Sequence, residues 1–340
     1  RLLKHVKFSS FLLCYNKESF IIPLFSGLNF RRMKSNYSIG IDLGGTNLRV
    51  ALISEEGKVV KKTKTPSKER VVDSLIDAIT EVINSDVIGI GIGVAGLIDR
   101  EAGVVIRSPN LPSIEGINIT GALRERFSLP VIIENDANVA ALGEKWLGAG
   151  REFRDFVHLT LGTGIGGGVI YNDRLLNISA EIGHMVIFSG GEKCSCGNYG
   201  CLETYASARA ILSRAIKYLE DGADSILRQL HEGNFYRLTA EDIYKSALEG
   251  DALSRDVLRE AGRYLGIGIT NIINIFSPQA IILSGGLMGA WNIYVQEAIK
   301  EASKRAFKEL FDRTRIVPSI LEDDAGVIGA ACLIFTCQRT

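Results

Sequence analysis

The sequence predicts an α/β protein whose sheets mix antiparallel hairpins with parallel crossovers. Two observations carry that expectation. From Tyr37 onward, short apolar runs alternate with stretches of helical spacing. Glycine turns close several of those runs, and the strand, glycine turn, strand design of residues 38–53 returns in "DFVHLTLGTGIGGGVIYNDRLL", residues 155–176. The echo points to two related halves.

In chain order, "YSIGIDLGGTNLRVALISEEGKVVKKTKT" reads as three strands joined by tight turns at Gly44–Gly45 and Glu56–Gly57. "ERVVDSLIDAITEVINS" has helical spacing, and "VIGIGIGVAGLI" after it is a buried-strand run. "LPVIIEND" is a further short strand leading into a helix over "ANVAALGEKWLGAG". The repeated hairpin follows, then a helical block in which Thr239 and Asp242 have capping-box spacing, with Asp in place of the usual Glu. Residues 277–307 read as a strand, the Gly285–Gly286 turn and a long helix. A strand and an apolar helix close the pattern by residue 335.

At 340 residues the chain is long enough for about two domains with full hydrophobic cores. Lys plus Arg and Asp plus Glu both number 39, so no global field favours nucleic acid or an anionic membrane. Residues 1–32 are basic, rich in Phe and Ser, and contain one acidic residue, Glu18. No apolar run there reaches the ~20 residues of a membrane helix. The stretch reads as a transit peptide or as an extension upstream of Met33, and residues 1–36 are expected to lie outside the core.

The glycine turns are where chemistry is expected. Asp42 ends a buried strand ahead of Gly44, Gly45 and Thr46. Without Cβ atoms, backbone N–H groups there can face a phosphate, and a carboxylate at the mouth suits a magnesium ion held through water. Gly162-x-Gly164-x-x-Gly167 formally fits a dinucleotide fingerprint, but that motif requires a following helix, and here a strand continues. Two glycine-tipped hairpins gripping a polyphosphate from both sides fit better. At Gly285–Gly286 a strand turns into a helix, leaving a flat gap for an adenine ring or forming an ordinary structural turn. Asn135 and Asp136 stand where a buried strand meets a helix, as an N-cap, as a general base, or as both. The helix N-terminus favours the ionised form of Asp136.

"IDLGGTNLRVAL", "ENDANVAALGE", "LTLGTGIGGGVI", "EIGHM", "CSCGNYGCLE" and "ILSGGL" together resemble the ROK family of sugar kinases and sugar-responsive repressors, over residues 38 to about 335. The resemblance implies two ribonuclease-H-like domains of the actin and hexokinase type flanking a cleft for ATP and a hexose. The small domain would comprise 37–138 plus 324–337, and the large one 139–323. By the same resemblance Asp42, Gly44, Gly45, Thr46 and Asn47 form the first phosphate motif, and Gly162, Thr163 and Gly164 the second, with Gly285 and Gly286 at the nucleotide. Asp136 matches the catalytic base and Asn135 a sugar-binding amide. Glu181, His184 and Glu203 match the groups that hold sugar hydroxyls, and Asn110 and Gly96 the sugar-side loop. Ala95 stands where many members have proline.

Three of the six cysteines fall within eight positions. A disulfide knot and a metal cluster compete for them. His184 with Cys194, Cys196 and Cys201 would fill a tetrahedral zinc site with no position left for water, which makes the zinc structural. Its expected role is to fix the "SGGEKCSCGNYG" loop and clamp one nitrogen of His184, leaving the other for the sugar. Cys332 and Cys337 are expected to be ordinary thiols. The expected function is ATP-dependent phosphorylation of a hexose, glucose to glucose 6-phosphate, using magnesium. N-acetylmannosamine, N-acetylglucosamine and fructose are the alternative substrates. A sugar-sensing repressor is the remote alternative, since it needs a DNA-reading motif ahead of this region. The expected partners are small molecules rather than nucleic acid or membrane, the assembly a homodimer or homotetramer, and the location cytoplasmic.

Overall fold

The computed structural model describes residues 37–67, 70–108 and 111–337. The N-terminal stretch and Asn110 therefore lie outside the described residues. The first sheet is built from β1 (Tyr37–Leu43), β2 (Asn47–Ser54), β3 (Val59–Pro66), β4 (Val87–Val94) and β7 (Val131–Asn135), in the order β3-β2-β1-β4-β7. Its first three strands are an antiparallel meander, and β4 and β7 join it in parallel. Between β4 and β7 lie a small hairpin, β5 (Leu97–Asp99) with β6 (Val104–Arg107), and the helix α2 (Ile119–Phe127). The helix α1 (Val71–Val82) connects β3 to β4 and buries Val71, Leu75, Ala78, Ile79 and Val82, one stripe of its surface. On β1 the pleat sends Ile39, Ile41 and Leu43 into the core shared with that stripe. The edge strand β3 carries Lys61, Lys62 and Lys64, charges that discourage pairing with another chain.

The second sheet repeats the plan. It contains β8 (Phe156–Leu161), β9 (Ile165–Tyr171), β10 (Arg174–Leu175), β11 (Ala280–Ser284) and β12 (Arg315–Pro318), ordered β10-β9-β8-β11-β12. Again three antiparallel strands precede two parallel ones. After α3 (Asp136–Leu147), the helices α4 (Leu202–Ala206), α5 (Ala208–Glu220), α6 (Ala240–Glu249), α7 (Ala252–Phe276), α8 (Gln296–Arg305) and α9 (Lys308–Phe311) belong to this half. Leu258, Leu265, Ile269 and Ile272 of α7 pack with Val157, Leu159 and Leu161 of β8 in its core.

The last helix, α10 (Ala325–Cys337), returns to the first sheet, while α3 packs on the second sheet and on α10. The approach is at backbone distance. A Cβ on Gly91 would lie 1.8 Å from the Ala330 carbonyl oxygen, and one on Gly40 would lie 1.9 Å from that of Val327. Only glycine lets α10 sit this close to β1 and β4.

Local differences from the sequence expectation have local causes. The run 87–98 is broken into β4 and β5 at Ala95–Gly96, where Gly96 adopts φ 131°. The helix expected through 150 stops at Leu147, and a 3-10 turn over Ala149–Glu152 follows. The long helix expected after Gly286 begins with a 3-10 turn and a π turn before α8 starts at Gln296. The Thr239–Asp242 capping box is present, with both reciprocal bonds made. Among the described residues, no helix is long and apolar enough to cross a membrane.

Candidate active site and metal cluster

The parallel strands bring the first group of candidates to one edge. Leu43, Val94 and Asn135 are register partners across β1, β4 and β7, so the Gly44 turn, Gly96 and the Asn135–Asp136 corner all leave the sheet at its carboxyl ends. Ligands of open α/β sheets bind at such ends. Asn135 is the N-cap of α3, its Oδ1 accepting from Ala137 N at 2.9 Å and Asn138 N at 3.2 Å. Its Nδ2 donates to the Gly96 carbonyl at 3.2 Å, which joins the corner to the following loop. At Ala95 the backbone N–H donates to Leu43 O at 3.4 Å, a bond a proline there would forfeit.

Asp136 is the first residue of α3, and its Oδ1 accepts from its neighbour's N–H, Ala137 N, at 2.9 Å. The helix terminus favours the charged form here, through the backbone N–H groups of its first turn, but burial outweighs it. Burial, with the charges of Asp42 and Glu181 adding to it, pushes its carboxyl up to about 6 despite the helix N-terminus. A carboxyl poised there is half ionised near pH 6 and a competent proton acceptor at neutral pH.

Asp42, only 18% exposed, is held by Arg49 Nη1 at 3.0 Å, and Arg49 Nη2 reaches Asp323 at 2.9 Å. Burial nonetheless raises the Asp42 carboxyl above its ordinary value. Gly45 and Thr46 are exposed at the turn, while Asn47 closes it by accepting from Gly44 N at 3.0 Å through its carbonyl. In the second sheet, β8 and β11 run parallel with Thr160 opposite Ser284, so Gly162–Gly164 and Gly285–Gly286 also leave side by side at carboxyl ends. Glu203, on the first turn of α4, accepts from Ile165 N at 2.9 Å. A Cβ on Gly164 would lie 2.2 Å from the same Glu203 oxygen, so the carboxylate braces this turn and keeps only part of its acceptor capacity for a ligand. Glu181 is exposed, at the entry of a 3-10 turn over Ile182–His184.

His184, Cys194, Cys196 and Cys201 converge, with all four ligand atoms within 4.8 Å of one another. Cys194 Sγ lies 3.6 Å from His184 Nδ1, and Cys196 Sγ lies 3.7 Å from Cys201 Sγ. Those are the edges of a tetrahedron with metal–ligand bonds of about 2.0–2.3 Å. All three thiols are free, and no disulfide joins them. Burial opposes ionisation of Cys194, yet hydrogen bonds from Cys196, Thr204 and His184 outweigh it and lower that thiol to about 6. Burial together with the neighbouring sulfurs pushes Cys201 up to about 12. Such crowded sulfurs ionise together only around a cation, so the donor set fits a metal.

Residues 38–336 match the ROK family. The chain belongs to that family. A glucokinase of Thermotoga maritima is 37% identical over 313 residues, spanning 87% of this ROK chain and 96% of that protein. A xylose repressor of Bacillus subtilis is 35% identical over 315 residues, spanning 88% of this chain and 77% of the repressor. Among solved structures, a ROK family glucokinase from Streptomyces griseus in complex with glucose and AMPPNP has a TM-score of 0.79 at 31% identity, covering 87% of this chain and 98% of that one. The two sheets of this ROK protein are accordingly the paired halves of the actin and hexokinase type.

The places of four further residues were not read from the sequence. Arg49 was legible in principle: it stands opposite Asp42 across the first hairpin, a pairing that follows from the turn. Arg100 and Glu134 form a bidentate ion pair across 34 residues of sequence, and nothing local signals it. His158 on β8 is fully buried, and burial lowers its imidazole to about 4, so it is a neutral core residue. An open pocket of about 750 Å³ between Leu147–Phe153 and Arg315–Ile320 is lined by none of the candidate residues.

Proposed function

We propose that this protein is an ATP-dependent hexose kinase that converts glucose to glucose 6-phosphate. The observation that carries the reading is the corner at Asp136, a carboxyl on the first turn of a helix capped by Asn135, brought by the parallel strands to the same sheet edge as the Gly44 turn and Gly96. Its ionised form accepts the proton of the sugar hydroxyl as that oxygen attacks the γ-phosphorus and the bond to the ADP oxygen breaks. Phosphoryl transfer needs positioning and charge neutralisation rather than a covalent intermediate. Asn135, Glu181, Glu203 and His184 hold hydroxyls in this reading, and Asn110 and Gly96 belong to the sugar-side loop.

The glycine turns at Gly44–Asn47, Gly162–Gly164 and Gly285–Gly286 supply backbone N–H groups for the nucleotide. Asp42 is the carboxylate for a magnesium ion, which when bound neutralises phosphate charge. Zinc suits the cluster of His184, Cys194, Cys196 and Cys201, and its role there is structural. Because His184 turns Nδ1 toward the sulfurs, Nε2 is the nitrogen left for the sugar. The cleft falls between a small domain of 37–138 plus 324–337 and a large one of 139–323. A reduced, cytoplasmic setting suits the thiolates, and a homodimer or homotetramer remains the proposed assembly.

The deciding experiment is ADP release by zinc-replete protein with glucose, N-acetylmannosamine, N-acetylglucosamine and fructose. Glucose is expected to give the highest kcat/KM. Release that no sugar stimulates would sink the kinase reading, and a preference for another of the four would move the substrate.

A further inference from the structure

We propose that Arg100 is a positioning residue that locks together, through Glu134 and Asn138, three segments that carry sugar-side groups. The inference rests on the hexose kinase reading and adds to it Arg100, which lies outside every motif quoted above. Arg100 sits in the turn of the β5–β6 hairpin, four residues after Gly96, and Asp99 fixes that turn by accepting from Ala102 N at 2.9 Å. Arg100 donates from Nε to Glu134 Oε2 at 2.6 Å and from Nη2 to Glu134 Oε1 at 2.7 Å. The same Nη2 reaches the Ile178 carbonyl at 3.3 Å. Asn138, 1% exposed on the first turn of α3, donates from Nδ2 to Glu134 Oε1 at 3.0 Å and to the Ile178 carbonyl at 3.1 Å.

Each anchor lies next to a group assigned to the sugar. Glu134 precedes Asn135 and accepts from its backbone N–H at 2.7 Å. Ile178 is three residues ahead of Glu181, in the connection between β10 and the 3-10 turn that ends at His184. No ladder joins that connection to the first sheet, so these side chains tie it to the Asn135–Asp136 corner. Glu134 is 7% exposed, and a carboxylate so buried needs its partner. A guanidinium suits it because one planar fork satisfies both oxygens and keeps a donor for Ile178. Lysine keeps the charge and loses the fork.

The test compares wild type with Arg100→Lys and with the neutral pair Arg100→Gln/Glu134→Gln. It measures kcat, the sugar and ATP KM values, and glucose affinity by calorimetry. Arg100→Lys is expected to raise the sugar KM and the calorimetric Kd roughly tenfold, the size of one lost charged hydrogen bond, with the ATP KM unchanged. The neutral pair, which can still hydrogen-bond, is expected to recover part of that loss. Amide exchange is expected to quicken in residues 96–107 and 176–184 together in Arg100→Lys. A wild-type sugar KM in Arg100→Lys, or equal changes in sugar and ATP KM, would overturn the proposal. If the wild type itself uses none of the four sugars, the kinase reading fails separately, and unchanged exchange in both segments would then remove the lock as well.

Discussion

Asp136 combines two roles that pull its chemistry in opposite directions. The helix N-terminus favours its charge, whereas burial and the carboxylates of Asp42 and Glu181 oppose it, and opposition wins. kcat/KM should therefore rise with pH through about 6 and level off above it, since only the ionised form accepts a proton; a pH–rate profile checks this. Asp136→Asn keeps size and polarity but cannot take the proton. It should lower kcat by roughly 10²–10⁴-fold, leave sugar affinity nearly intact and abolish that acidic limb. Stability moves the other way. The folded protein binds the Asp136 proton more tightly than the unfolded chain, whose carboxyl titrates near 3.8, so this group's contribution to stability falls as pH rises from about 4 through 6. Asp136→Asn removes the penalty and should raise stability at pH 7 by on the order of 1–3 kcal/mol, read by denaturant unfolding. A near-normal kcat would place the base elsewhere.

Among the elements, the loop from Glu181 to Glu203 depends most on a ligand. Its backbone joins no ladder and pairs only in the isolated bridges of Val186 with Cys201 and Lys193 with Tyr199, and between Phe188 and Tyr199 its buried side chain is that of Cys194. Chelating the metal, or Cys196→Ser, should quicken amide exchange across residues 185–201 and weaken sugar binding far more than ATP binding. His184 lies in the cluster, whereas Gly44–Asn47 lies in the other sheet. Metal analysis of reduced, natively purified protein should find one zinc per chain. Equal loss of both affinities would mean that the cluster supports the whole fold rather than the sugar side. The capping box at Thr239 and the meander of the first sheet were legible because their signals lie within a few residues. The break at Ala95–Gly96 was not, since an apolar run does not show where its backbone turns.

At the scale of the molecule, the two halves meet through α3 and α10 rather than through a shared strand. Backbone approach at Gly91 and Gly40 holds α10 on the first sheet, and Gly329 of α10 meets Val139 of α3. Gly91→Ala puts a methyl group 1.8 Å from the Ala330 carbonyl oxygen, and neither sheet nor helix can yield without moving a layer. It should cost about 3 kcal/mol, seen as a lower denaturation midpoint. Wild-type stability in that variant would mean that α10 shifts freely on the sheet.

By itself the sequence determined the α/β class, the two related halves, the glycine turns, the Asn135–Asp136 corner and the spacing of His184 to its three cysteines. Each of these is written in residues adjacent along the chain or one hairpin apart, where backbone geometry leaves few options. Tertiary structure decided the rest. The elevated Asp136 carboxyl, the brace of Glu203 on Ile165, the Arg49 link from Asp42 to Asp323, and the Arg100–Glu134 fork depend on which distant charges burial brings together. Electrostatic energy varies with distance and solvent exposure in space, and separation along the chain determines neither.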